Sequence, residues 1–235
     1  MLLVYSFAAF SAEPKTATYD WLTLGKKSGE LKVTYLAGGQ QTAEFEFNDR
    51  GRGPKISESI QLDDHGQVTS FKVIGNSYMG SDVDESYTLN QGVAQWRSTD
   101  EQGQTTVTGP VAYVNSQGST ESLGVMVRYV MQQPNNKLDL LPSGQASVEE
   151  LISTTVKHEG QEKSVKLMAL SGLGFTPSYL WLDESNQIFA VAYGWMGMTP
   201  VGWGAVLPEL QELQDQAEKT FQQNLAQKLT DQLFR

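Results

Sequence analysis

The chain reads as an α+β protein. It predicts a large curved antiparallel β-sheet, built as a meander and covered by a mid-chain helix, with a long C-terminal amphipathic helix. Three observations carry this. From Tyr19 to Val111 apolar and polar residues alternate, and turn residues recur about every ten positions, as short antiparallel strands require. Over Ser119–Gln132 the period changes, with Leu123, Met126, Val127, Val130 and Met131 at helical spacing. From Leu207 to Leu233 a second stripe recurs every three or four residues through Leu210, Leu213, Ala217, Phe221, Leu225 and Leu229.

The strands follow in order. Tyr19–Leu24 leads through the Gly25–Gly29 turn to Glu30–Leu36, then past Gly38-Gly39 to Thr42–Phe47. After the glycine-rich Asn48–Pro54 come Ile56–Leu62, the Asp63-Asp64-His65-Gly66 turn and Val68–Ile74. Asp84–Leu89 and Val93–Ser98 flank an Asn90-Gln91-Gly92 turn. The mid-chain helix starts at a Ser119 or Thr120 cap and ends before Pro134. Strands resume at Leu138–Leu141, Ala146–Lys157, Lys163–Gly172, Ser178–Leu182 and Ile188–Tyr193, with Asp183–Asn186 as a hairpin turn. Both helices are expected to cover one face of the sheet. Residues 16–207 form a single β-rich domain on this reading, and 208–235 the end helix.

Residues 1–15 read as a signal-peptide remnant or N-terminal extension. Met1–Ala12 is an apolar run of about the length of a signal h-region, 7–15 residues. Its basic n-region is missing, and the other reading is an N-terminal strand or helix on the core. The signal reading implies a periplasmic or secreted protein. The end helix, in turn, is either a connector to a further domain or an element docked on its own. On the connector reading, removal of residues after about Leu213 leaves the β-domain folded and reduces self-association.

Composition excludes much chemistry. The 235 residues carry 17 basic and 27 acidic side chains, a net −10, which disfavours nucleic acid and anionic membranes as partners. Without cysteine there are no disulfides, iron–sulfur clusters, thiolate zinc sites or thiol nucleophiles. Two histidines, His65 and His158, cannot make a three-histidine metal site, and both sit in turns that point to solvent. No catalytic or metal-binding residue is therefore assigned.

The candidates are binding surfaces. In Asn48-Asp49-Arg50-Gly51-Arg52-Gly53-Pro54, Arg50 and Arg52 are placed to grip a carboxylate or phosphate, or to pair with local acids across a shaped bend. Asp82, Asp84 and Glu85 form an acidic cluster in which alternation turns Glu85 away from the other two. The cluster reads as a solvated strand start. Residues 188–207 are uncharged along a span's length, but Gly194, Gly197, Pro200, Gly202 and Gly204 break the helix a membrane span needs. Trp195, Met198 and Trp203 in this stretch are either core or an apolar patch that docks a ligand or another domain.

Several segments resemble a known family. Tyr19-Asp20-Trp21-Leu22-Thr23-Leu24-Gly25-Lys26-Lys27-Ser28-Gly29, Asn48–Pro54 and Val83-Asp84-Glu85-Ser86 resemble landmarks of the N-terminal β-rich accessory domain of bacterial exported metal-dependent amidohydrolases. Leu141-Pro142-Ser143-Gly144-Gln145-Ala146 and Leu173-Gly174-Phe175-Thr176-Pro177-Ser178-Tyr179-Leu180-Trp181-Leu182-Asp183 resemble later ones. In that family a metal-dependent (β/α)8 barrel follows, opening on a His-x-His strand that this chain lacks. The resemblance implies a non-catalytic accessory or interaction domain without a cofactor of its own. A divalent metal would belong to the missing barrel. Its partner is then an intramolecular hydrolase domain, or a second copy met through the C-terminal helix. The alternative is a free-standing periplasmic carrier that holds an apolar ligand against its curved sheet.

Overall fold

Strands fill most of the chain, because alternating burial recurs wherever the sequence alternates. A computed structural model describes residues 13–233, and the apolar run over Met1–Ala12 lies outside them. The first half holds β1 (Lys15–Thr23), β2 (Lys26–Tyr35), β3 (Gln40–Phe47), β4 (Lys55–Leu62), β5 (Val68–Asn76), β6 (Asp82–Asn90), β7 (Val93–Arg97) and β8 (Gln102–Thr106). Then come β9 (Val111–Tyr113) and helix α1 (Thr120–Val130). The second half holds β10 (Lys137–Leu141), β11 (Gln145–His158), β12 (Gln161–Ser171), β13 (Ser178–Asp183), β14 (Ile188–Tyr193), β15 (Met196–Pro200) and α2 (Leu207–Leu233).

All 15 strands form one sheet in the order β8-β7-β6-β5-β4-β3-β2-β1-β15-β14-β13-β12-β11-β10-β9. Two meanders therefore meet at a single seam, where β1 pairs antiparallel with β15 from Tyr19↔Pro200 to Thr23↔Met196. β15 was not legible as a strand. Gly194, Gly197, Pro200 and Gly202 give Met196–Pro200 the local signals of a loop, and only the partner strand makes it extended. Gly197 is required at this seam, since a Cβ there would stand 2.6 Å from the Val191 carbonyl oxygen. The expected all-antiparallel sheet needs one correction. β9 and β10 pair in parallel, with Asp139↔Val111 to Leu141↔Tyr113. A parallel neighbour needs a crossover connection, and α1 supplies it.

The helices lie on opposite faces, not on one as expected. α1 fills the concave side, where Val125, Met126, Val127, Tyr129 and Val130 pack with Ile60, Phe71, Val73, Leu180 and Ile188. α2 covers the convex side of β11–β14, where Leu210 packs with Leu167, Trp181 and Phe189. Alternation in β12 and β13 serves both layers: Met168, Leu170, Leu180 and Leu182 point in, and Leu167, Ala169, Tyr179 and Trp181 point out. This double burial explains the uncharged stretch, because a strand covered on both faces has no polar side. Only the N-terminal half of α2 is docked: residues 222–227 are exposed.

The sheet rolls until β9 tucks under β5–β7. Tyr113 stacks on Tyr87 with centroids 4.9 Å apart, and the Gln67 amide donates to the Val111 carbonyl at 3.2 Å. Two buried carboxylates pin the loop into α1. Glu85 accepts from the Tyr113 hydroxyl at 2.8 Å and from Ser116 N and Oγ. Glu58 accepts from Ser119 N at 2.7 Å and Ser119 Oγ at 2.9 Å, while that Oγ also accepts from Glu121 N and caps the helix. Glu85 is thus a fastening of the core and not part of a solvated cluster, as its opposite orientation to Asp82 and Asp84 already indicated.

Candidate functional site

The turns β1–β2, β3–β4, β5–β6 and β14–β15 all fall at one end of the rolled sheet, because strand direction alternates. They assemble a rim from distant parts of the chain. The Leu24 amide donates to the Trp195 carbonyl at 2.7 Å, joining the first and last of these turns. Gly53 N donates to the Tyr78 carbonyl at 3.1 Å and joins the middle two.

Asn48–Pro54 is shaped by its own polar groups. The Asn48 side chain accepts from Gly51 N at 2.8 Å, and Asp49 and Arg52 exchange both backbone hydrogen bonds. Gly53 has φ +149, and a Cβ there would overlap the Phe47 carbonyl oxygen, so no other residue fits. The buried Asp49 carboxylate then organises the site. It accepts from Arg50 Nε at 2.9 Å, Arg50 Nη2 at 3.2 Å and the Tyr78 hydroxyl at 2.8 Å. The Arg50 guanidinium, then the Tyr78 hydroxyl, hold its carboxyl below the ordinary aspartate value. Asp49 in turn raises both Arg50 and Tyr78, so each stays protonated.

Both arginines lie over rings. The Arg50 guanidinium carbon is 5.5 Å from the Trp195 centroid, and that of Arg52 is 5.8 Å from Tyr78. Beneath them runs an aromatic row. Trp21 stacks on Phe47 at 4.8 Å, Phe47 meets Tyr78 at 6.0 Å, and Tyr193 lies 6.4 Å from Trp21. The row runs from the concave core to the surface. At the surface Leu24 is 75% exposed, Met79 71% and Trp195 44%. Arg50 is committed to Asp49, whereas Arg52 makes no ion pair within 4 Å among the described residues. A fixed cation, a free one and a ring of apolar side chains suit an acidic, partly apolar surface. No nucleophile paired with a base stands here.

Of the five residues singled out from sequence, the structure brings Arg50, Arg52 and Trp195 together and separates the other two. Met198, at 0% exposure, faces the concave core between β1 and β14. Trp203, at 9%, packs edge-on against Phe189 under α2. Neither is a surface residue: the seam buries the first, and the turn into α2 the second. Leu24, Tyr78 and Met79 were missed, and only the neighbouring turn glycines mark those positions in the sequence. His65 is exposed in its turn, as expected, but His158 is half-buried with its ring 6.0 Å from Trp203. Asp84 pairs with Arg97 at 3.0 Å on the outer face.

Among the described residues no group of three His, Cys, Asp or Glu side chains stands ready for a metal ion, and no helix is long and apolar enough to cross a membrane. No family model and no curated protein matches the chain. Among solved structures it is similar to a beta-barrel-like protein of a domain of unknown function, DUF1849, from Brucella abortus, with 13% identity, 80% of this chain and 94% of that chain covered, and a TM-score of 0.44.

Proposed function

We propose that the chain is a non-catalytic interaction domain that docks an acidic, partly apolar protein surface on the rim of Leu24, Arg50, Arg52, Met79 and Trp195. The observation that supports it is the convergence of four turns on an exposed arginine–aromatic patch, held rigid by Asp49, in a protein of net charge −10. The resemblance of the turn motifs makes the barrel of an exported amidohydrolase the first partner to test. The apolar opening run supports an exported setting. The carrier reading is weaker on geometry, because an apolar ligand at the centre of the concave face, where α1 packs, would have to displace that helix. The void left beside that helix is about 30 Å³, room for one water.

The test uses the full chain with a barrel encoded in the same or a neighbouring reading frame. Co-elution that Arg52→Ala weakens about tenfold and Trp195→Ala weakens further supports the proposal. Separate elution of the two polypeptides, or co-elution indifferent to both substitutions, overturns it. The absence of any such frame removes the hydrolase as partner.

A further inference from the structure

At the end of the sheet opposite the rim, an open cleft of about 620 Å³ lies on the concave side between β1–β2 and β13–β15. That is the size of a small-molecule pocket, about 300–1,000 Å³. One wall is apolar, from Ala17, Ile188 and Val201. The other is polar: the Tyr35 hydroxyl donates to Gln187 Oε1 at 3.1 Å, and Tyr19 stands beside it.

Helix α1 presents an ion pair next to these tyrosines. Arg128 Nη2 donates to Glu121 Oε1, with Glu121 at 1% side-chain exposure and Arg128 at 18%. The second atom of each group is left over. Glu121 Oε2 and Arg128 Nη1 are buried and have no hydrogen-bond partner. A buried charged group rarely goes unsatisfied, so such atoms call for a ligand or water. Burial, then the Glu121 charge, push the Tyr35 and Tyr19 hydroxyls well above their ordinary values, so both remain hydrogen-bond donors at neutral pH.

The charges of the region cancel. Arg128 is paired with Glu121, and the cleft wall carries one cation, Lys15, and one anion, Asp183. The lining therefore has no excess of either sign. The cleft lining sets donors and acceptors side by side, phenol hydroxyls with an amide, and the Glu121–Arg128 pair lies behind the tyrosines. A hydroxyl group, which donates and accepts through one atom, matches such pairs. We infer that this cleft binds a neutral, hydroxyl-rich small molecule, of the chemical class of a mono- or disaccharide. The ring of such a ligand lies against Ile188 and Val201, and its hydroxyls meet Tyr35 and Gln187, in front of the ion pair.

The inference is independent of the rim and is tested separately. In the full chain carrying methyl-labelled Ile and Val, D-glucose and maltose are titrated, with glycine and acetate as charged comparators. The expected result is a saturable shift at Ile188 and Val201 with a sugar and none with the comparators. Tyr35→Phe and Gln187→Ala each raise the Kd about tenfold, the loss of one good hydrogen bond, while Arg52→Ala leaves it unchanged. The ligand-free spectrum of each variant checks its fold, and Gln187→Ala, at the mouth of the cleft, serves if Tyr35→Phe perturbs it. No saturable shift with either sugar, a response to glycine or acetate instead, or wild-type affinity in folded variants overturns the inference.

Discussion

Glu58 holds the Ser119 cap from inside the sheet, and its burial has a measurable consequence. Desolvation pushes its carboxyl up to about 7, against the two bonds from Ser119, which lower it. An acid whose value is raised on folding binds protons more tightly in the native state. Its stabilising share is therefore fully present below the ordinary glutamate value of 4.5 and is lost as pH rises towards about 7. Glu121, raised mainly by burial, acts in the same direction. Stability should thus fall by on the order of 3 kcal/mol between pH 4.5 and 7 from Glu58 alone. Glu58→Gln keeps the neutral shape and should flatten that slope. Urea unfolding at several pH values checks this, and an unchanged slope in Glu58→Gln would sink it. At the rim, the same residue-level logic makes Asp49 the organiser: one buried carboxylate sets Arg50 and Tyr78 at once.

At the scale of elements, α2 divides into two parts. Its 27 residues extend about 40 Å at roughly 1.5 Å per residue. Leu210 is fully buried, and Gln214 accepts from the Trp181 indole N–H at 3.2 Å and donates to the Ala192 carbonyl at 3.0 Å. Further on, Leu225 is 42% exposed. A cut after Leu213, which on the connector reading leaves the β-domain folded, would remove Gln214 and leave the Trp181 N–H buried without a partner. The boundary belongs after Phe221. Deletion of 222–235 should change stability by no more than about 0.5 kcal/mol, whereas Leu210→Ala should cost about 2–5 kcal/mol. Thermal melts of the two variants decide it: equal losses would mean that the helix is docked along its whole length. Self-association that disappears with 222–235 would assign the exposed half to a second copy.

For the molecule as a whole, the seam between β1 and β15 couples two meanders that are each local in sequence. α1 reinforces the coupling by packing on both, against Ile60 and Phe71 on one side and Leu180 and Ile188 on the other. Unfolding should therefore be a single transition. Hydrogen exchange in β4–β5 and in β12–β13 should report the same opening free energy within error. Met198→Asp places an unpaired charge in the seam and should unfold both halves together. A variant that loses β10–β15 while β2–β7 stay protected would instead make the meanders separate units.

Strand alternation, turn chemistry, the Ser119 cap and the two helical stripes are local properties, set by side-chain spacing and backbone preference. They were readable in order along the chain, as was the convergence of glycine and arginine in Asn48–Pro54. What joins to what was not readable. Met196–Pro200 has no local reason to be a strand until β1 and β14 lie beside it. Met198 and Trp203 read either as core or as an apolar patch until the two layers close over them. Leu24, Tyr78 and Trp195 become neighbours only when alternate hairpins bring their turns to one end. Likewise Glu121 and Arg128 stand in the first and last turns of α1, where the macrodipole favours each, and only burial beside Tyr35 leaves an atom of each without a partner. Pairing across long separations depends on which surfaces exclude water together, and that is a property of the folded whole.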